Sequence, residues 1–216
     1  MSHLPPSASI ASPAGGAKLH APSADRNTPM IVALLRAVAP ATGSALEIAS
    51  GTGQHIVALA TALPQLNWYP TEVEPDRIAS IDAYAAEAGL PNLHLAHHLD
   101  ATQPGWGQTQ GPFDIIHLGN LLHLIPQPAA AVLLTQAAAA LTPKGAFTLY
   151  GPFMRAGVLT SEGDAQFDAE LRATDPAIGY KDDRWVADLL TSVGLHVTVN
   201  AMPANNLAFI ARRKVP

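Results

Sequence analysis

The sequence predicts an α/β fold: a doubly wound sheet of seven strands, mostly parallel, closed by an antiparallel C-terminal hairpin. Three observations predict it. Short apolar runs of strand type alternate with segments of helical period, the pattern of βαβ units. One such run, Ala45-Leu46-Glu47-Ile48-Ala49, delivers the chain into a glycine-containing turn at the start of a helix. The last two apolar runs, Leu195 to Ala201 and Leu207 to Ala211, have no helix between them and must return antiparallel.

The elements follow in order. Residues 1–22 are rich in Ser, Pro, Ala and Gly and read as a flexible tail, an extension or a flap that orders over a ligand. The domain spans 23–214. Thr28-Pro29 reads as N-cap and first helical residue, and Ile31, Leu34, Leu35 and Val38 give that helix its apolar face. After the first strand comes a helix carrying Ile56, Val57, Leu59, Ala60 and Leu63, stopped by Pro64. Leu66 to Thr71 is the second strand, Asp76 to Ala88 a helix closed by Gly89, and Leu93 to Leu99 the third strand. Phe113 to Leu118 is apolar enough to be buried on both faces. An Ala-rich helix, Pro128 to Leu141, precedes a turn at Pro143-Lys144-Gly145 and a fifth strand, Ala146 to Tyr150. Asp183 to Val193 is the last helix. Residues 151–182 break the alternation and read as an insertion over the carboxyl ends of the strands, where ligands bind in a Rossmann-like sheet.

Composition excludes several classes. The chain has 216 residues, 48% hydrophobic and 13% charged, a globular balance that fits one domain. Its net charge is −5, with Lys and Arg scattered, so no nucleic-acid partner is expected and a small-molecule substrate is the better expectation. There is no cysteine, hence no disulfide, thiolate metal site or cysteine nucleophile. No apolar run approaches the roughly 20 residues of a membrane helix, and no secretory leader is evident. No membrane partner and a cytoplasmic location are the expectation.

The most informative stretch is Glu47-Ile48-Ala49-Ser50-Gly51-Thr52-Gly53-Gln54-His55. A strand–glycine–helix turn admits a ligand backbone at a helix N-terminus. Phosphate loops need G-x-x-x-x-G-K-[ST], which is absent. Dinucleotide folds need a third glycine where this chain has Ile56, and no tyrosine is followed four residues on by lysine. Glu47-x-x-x-Gly51-x-Gly53 instead resembles the first motif of class I S-adenosyl-L-methionine-dependent methyltransferases, with Ala49 where the usual pattern has glycine. A charge inside an apolar buried strand is costly unless it has a role.

That resemblance implies the remaining roles. Glu47 orients the methionine portion of the cofactor, while Ala49, Ser50, Gly51 and Gly53 admit it. Glu72 at the end of the second strand takes the ribose hydroxyls, with Val73 beside it and Glu74 as competitor. Asp100 and Ala101 read the adenine, unless Asp100 only makes its own turn. Asn120 faces the methionine moiety. His123 is a candidate general base or a partly buried core histidine, and Tyr150 a positioning group. His94, His97 and His98 form a small cluster, but neighbouring strand residues face opposite ways and no metal is expected. Pro203-Ala204-Asn205-Asn206 reads as turn chemistry.

The stretch from Ser23 to Arg213 is further similar to the methyltransferase-like 26 group, through Ala24-Asp25-Arg26-Asn27, Leu46 to His55, Asn120-Leu121-Leu122-His123, Tyr150-Gly151-Pro152-Phe153 and Met202 to Asn206. This implies that Arg26 and Asn27 lie near cofactor or substrate. A non-catalytic protein that binds the cofactor or its demethylated product, and a nicotinamide oxidoreductase, are the alternatives.

Overall fold

A computed structural model of the chain describes residue 8 and residues 11–213. Lys214 and most of residues 1–10 lie outside that range. In chain order the elements are β1 (Ser12–Pro13), β2 (Leu19–His20), α1 (Pro22–Val38), β3 (Gly43–Ile48), α2 (Gln54–Ala62), β4 (Leu66–Glu72), α3 (Pro75–Ala88), β5 (His97–His98), α4 (Trp106–Thr109) and β6 (Phe113–Gly119). A 3-10 turn (Leu122–Leu124) follows, then α5 (Gln127–Ala139), β7 (Leu141–Pro152), α6 (Glu162–Thr174), α7 (Asp183–Ser192), β8 (Leu195–Ala201) and β9 (Asn206–Arg213). The main sheet has the order β5-β4-β3-β6-β7-β9-β8. Strands β5 to β7 run parallel, and β9 pairs antiparallel with both β7 and β8. The architecture is the expected one.

Apolar layers cover both faces. Leu46, Ile48, Ile116, Leu118, Phe147 and Phe209 point toward α5 and α7. Ala45, Trp68, Ile115, Ala146 and Ala208 point toward α1 and α2, meeting Ile31, Leu35, Ile56 and Leu59. The central strands are therefore apolar on both sides, as a parallel sheet under two helix layers requires. Ile56 is fully buried here, filling the space that a third glycine would leave open.

Local differences from the sequence reading have physical causes. Helix α1 starts at Pro22, six residues before the expected cap, and runs through Pro29. Pro29 removes one backbone donor, yet the extra turns are fastened from outside. The Ala21 amide donates to Gln54 Oε1 at 2.7 Å, Gln54 Nε2 donates to Asp25 Oδ1 at 2.5 Å, and His55 Nε2 donates to the Ala24 carbonyl at 3.1 Å. Tertiary bonds overrule a sound local cap signal. Residues 12–13 and 19–20 form a two-stranded ladder, and the Leu19 amide donates to Ser80 Oγ at 2.8 Å. The third strand is only His97–His98, because its earlier part touches β4 through a single bridge at Leu93. The expected turn at Pro143-Lys144-Gly145 is a bulge inside a longer β7, where the register with β6 shifts between Phe113 and Ile115. The last hairpin turns at Ala204 and Asn205, both left-handed in φ, so the turn reading of that loop holds for these two residues.

The 151–182 segment carries its own helix, α6, capped by Ser161, whose Oγ accepts the Asp164 amide at 3.1 Å. It rejoins the body at Asp182, whose Oδ1 accepts the amides of Arg184 at 3.0 Å and Trp185 at 3.4 Å. Its Oδ2 accepts the amide of Gly157. One side chain thus caps α7 and ties down the start of the insertion. Asp182→Ala should cost about 1–2 kcal/mol of unfolding free energy, read as a lower urea midpoint with unchanged slope. An unchanged midpoint would mean that burial of Val186 and Leu190 alone holds α7.

Candidate functional site

The carboxyl ends of β3, β4, β5 and β6 bring most of the expected residues together. Strand β3 carries Glu47 in a central position, paired in register with Pro70 on one side and His117 on the other. Only 2% of Glu47 is exposed, and its Oε2 has no hydrogen-bond partner among the described residues. Burial, reinforced by the nearby Glu72 carboxylate and opposed by the Ser50 hydroxyl, pushes its pKa up to about 8. Unliganded Glu47 is therefore a protonated acid at neutral pH.

Beyond Ile48 the backbone turns sharply. Ala49 takes φ of 53°, Gly51 61° and Gly53 95°. Ala49 stands where the usual pattern has glycine, and the left-handed conformation supplies the reason for that pattern. An L-residue there costs about 1–2 kcal/mol. Gly53 has a second constraint, because a Cβ would lie 2.9 Å from Ile81 Cα in α3. The turn is held to β4: the Ser50 amide donates to the Thr71 carbonyl at 2.8 Å, and the Thr71 hydroxyl to the Glu47 carbonyl at 2.9 Å.

Glu72 ends β4 and folds back over the turn. Its Oε2 accepts the Gly51 amide at 3.0 Å and its Oε1 the Val73 amide at 2.8 Å. A carboxylate offers about four acceptor positions, so about two remain. Glu74 is the N-cap position of α3 and makes no side-chain cap. Asp100 lies just past β5. Its Oδ1 accepts the Thr102 amide at 3.0 Å and the Thr102 hydroxyl at 2.5 Å, and its Oδ2 accepts Gln103 Nε2 at 3.1 Å. The turn-forming reading of Asp100 is thus realised, with acceptor capacity remaining. Ala101 is buried and its carbonyl accepts Trp106 Nε1 at 3.0 Å. His94 stacks on Tyr69 at 4.2 Å, apart from any metal-like grouping. Among the described residues no group of three or more His, Asp or Glu is placed to hold a metal ion.

Asn120 follows the last residue of β6 with φ of 55°, a conformation Asn tolerates, and its amide donates to the Tyr150 carbonyl at 2.8 Å. It lines a cleft of about 310 Å³ with Ser23, Arg26, Asn27, His123 and Phe167. The N-terminal turn of α1, the end of β6 and the insertion thus share one wall system.

Burial and partners define Tyr150, expected as a positioning group, and His123, expected as a general base or a partly buried core histidine. Tyr150 is 1% exposed, packed under α1. Its hydroxyl donates to Asn27 Oδ1 at 3.4 Å and accepts from Asn206 Nδ2 at 3.1 Å, and burial raises its pKa. It positions Asn27 rather than facing the cleft. His123 does line the cleft, but burial and then the Lys181 cation push its pKa down to about 3. A base works best with a pKa near the operating pH, so this imidazole is a weak proton acceptor.

Three residues escaped the sequence reading. Asn206 looked like turn chemistry, yet it is buried and supports Tyr150. His117, in an apolar strand, is fully buried, and its Nδ1 lies 2.9 Å from Thr148 Oγ1 while its Nε2 lacks a partner among the described residues. Phe167 belongs to an insertion without strand–helix alternation. Only a polar residue at the inward position of a buried strand could have flagged His117.

The Glu47 acid sets a pH dependence. The unfolded carboxyl ionises near 4.5 and the folded one near 8. Its contribution to stability is therefore full below pH 4.5, drains as pH rises, and is gone above pH 8. Glu47→Gln should stabilise the ligand-free protein by roughly 3 kcal/mol at about pH 7 and flatten stability across that window. Equal stability of the two proteins in urea unfolding from pH 5 to 8 would contradict the buried-acid assignment.

Comparisons place this geometry among known folds. An O-methyltransferase family protein from Burkholderia thailandensis superposes with a TM-score of 0.76 at 18% identity, over 88% of this chain and 56% of that one. PigF, solved with SAH, gives 0.72 at 18% identity, again over 88% and 56%. These likenesses establish the fold. In sequence, a tRNA (guanine-N(7)-)-methyltransferase of Shewanella pealeana is 38% identical over 71 residues, 33% of this chain. The chain spans 30% of that relative's length and 56% of each structural neighbour's. The family model that covers nearly the whole chain, residues 18–213, is a different one, and by it the chain belongs to the family described as a protein of unknown function (DUF938).

Proposed function

We propose that this protein is an S-adenosyl-L-methionine-dependent methyltransferase acting on a small molecule. The observation that carries the reading is the buried Glu47 carboxyl, whose Oε2 lacks a partner at the foot of a left-handed glycine turn. Such a group is satisfied by a cationic donor, and the cofactor's methionine portion ends in an ammonium. The rest of the donor set fits. Glu72 has two acceptor positions left for a pair of ribose hydroxyls, Asp100 and Ala101 flank the adenine, and Asn120 and Asn27 stand at the methionine end. The neighbours' activities, a cofactor product in PigF and the 71-residue match to a methyltransferase all support it. The finer likeness to the methyltransferase-like 26 group, the small-molecule partner and a cytoplasmic location belong to the same proposal.

When bound, the cofactor supplies a methyl group on a positively charged sulfur, so the protein need not provide an electrophile. The chain's residues then have three tasks. Glu47 and Glu72 hold the two ends of the cofactor's polar body. The Tyr150–Asn27 bond fixes one wall of the cleft, so that an acceptor is presented along one line. The α1 turn and the insertion keep water from competing.

At about 100 times its dissociation constant, S-adenosyl-L-methionine should raise the unfolding free energy by roughly 2.7 kcal/mol, with no effect from NAD. Glu47→Gln should lose most of this stabilisation while folding well, and labelled methyl groups should pass to an extract of small metabolites. Stabilisation by NAD alone would establish an oxidoreductase. Cofactor binding without any transfer would leave a binding protein.

A further inference from the structure

We propose that the methyl acceptor is a small, flat organic oxyanion, a carboxylate or phenolate, held between Arg26 and the Phe167–His123 wall and methylated on its own negatively charged oxygen without a general base. The inference rests on the methyltransferase reading and adds to it the charge and shape of the substrate.

The charge follows from which groups face the cleft. Arg26 is the only charged residue in the described lining, and no carboxylate lines it. Arg26 is exposed at the mouth and ion-pairs with no described residue. A second cation stands behind the far wall. Lys181 is buried, with its Nζ donating to the carbonyls of Ile125 at 2.8 Å and Gly179 at 2.7 Å, and the Gly179 amide donates in turn to the His123 carbonyl at 3.0 Å. Asp25, next to Arg26 in the chain, is bonded to His20 and Gln54, and two acids of α6 are bonded to other groups. Asp168 accepts Arg172 Nε and the Tyr180 amide, each at 2.7 Å, and Asp164 accepts the hydroxyls of Tyr180 and Ser161. An anion entering here would meet its complement in Arg26, the charged residue of the described lining.

The absence of a base follows from His123 and Tyr150. No described side chain bonds to the His123 ring, so no carboxylate orients it or stabilises its imidazolium, and burial beside Lys181 keeps it neutral. Tyr150 is committed to Asn27 and Asn206. A hydroxyl or ammonium acceptor would have nowhere to send its proton. An oxyanion has none to lose. Its lone pair forms the new O–CH3 bond as the S–CH3 bond breaks and the pair returns to sulfur. One negative and one positive charge disappear together, and no proton moves.

The shape follows from the wall. Phe167 and His123 meet edge to face with centroids 5.6 Å apart, and Tyr180 backs both rings. The result is a firm aromatic surface for a flat body, and the acceptor shares a cleft of about 310 Å³ with the methionine end of the cofactor, which keeps it small.

The test pairs cofactor binding with an acceptor panel: benzoate, phenylacetate and 4-nitrophenolate against benzyl alcohol and benzylamine, with labelled cofactor. The oxyanions should be methylated with kcat/KM at least about 100-fold above the alcohol and amine, the scale on which a missing base is felt. Arg26→Gln should raise KM for the acid at least about tenfold with cofactor affinity little changed, and Arg26→Lys should restore part of it. His123→Gln should lower kcat/KM less than about tenfold, where loss of a true base costs about 10²–10⁴-fold. Faster turnover of the alcohol or amine, a base-sized loss in His123→Gln, or weaker cofactor binding in Arg26→Gln with the acid's KM unmoved would each overturn the proposal. Cofactor binding with no oxyanion methylated overturns it while leaving the methyltransferase reading intact. Failure of the cofactor to bind the wild-type protein removes both.

Discussion

A carboxyl group in the middle of a buried strand, with one oxygen unpartnered among the described residues, is the constraint around which this structure is arranged. Glu47 sits in a buried strand between Pro70 and His117, where an aliphatic side chain would pack at no electrostatic cost. Its presence raises the free energy of the empty protein, because its acid form is held to a pH where the unfolded chain would be ionised. The local backbone accommodates it. Three left-handed residues turn the chain away just after the strand, and the Thr71 hydroxyl and Glu72 carboxylate fasten that turn to β4. Instability concentrated at one point of an otherwise well-packed sheet is what the proposed cofactor role of Glu47 accounts for.

The polar character extends across the sheet. Glu47, His117 and Thr148 are register neighbours on β3, β6 and β7, all on the face that α1 covers. Tyr150 and Asn206 continue the pattern toward the mouth of the cleft. Helix α1 is therefore more than a lid on an apolar layer. Its first turns are stapled to α2 by Gln54, Asp25 and His55, and those turns present Arg26 and Asn27 beside Asn120. Elements distant in sequence build one wall because side-chain bonds, not local propensity, decide where the helix begins.

This separation explains what was legible. Strand order, layering and the C-terminal hairpin follow from periodicity and connection length, and Glu47, Glu72 and Asn120 sit where strand ends in such a sheet must bring them. Roles that depend on what surrounds a side chain were not legible. His123 and Tyr150 have the chemistry of catalytic groups, but burial and partners set their protonation and orientation. The start of α1 is not legible because the sequence carries a good cap at Thr28, and nothing local announces that Gln54 will bond the Ala21 amide instead. The shortness of β5 likewise depends on contact with β4.

The most direct measurement is the count of protons exchanged when cofactor binds. Titration calorimetry of S-adenosyl-L-methionine at about pH 6.5, in buffers of differing ionisation enthalpy, reads that number. An acid held neutral until a cation arrives must ionise on binding. The account predicts release of about one proton per cofactor bound by the wild-type protein, and none in what binding survives in Glu47→Gln. Cofactor binding with no proton released, and equal affinity in the variant, would contradict it.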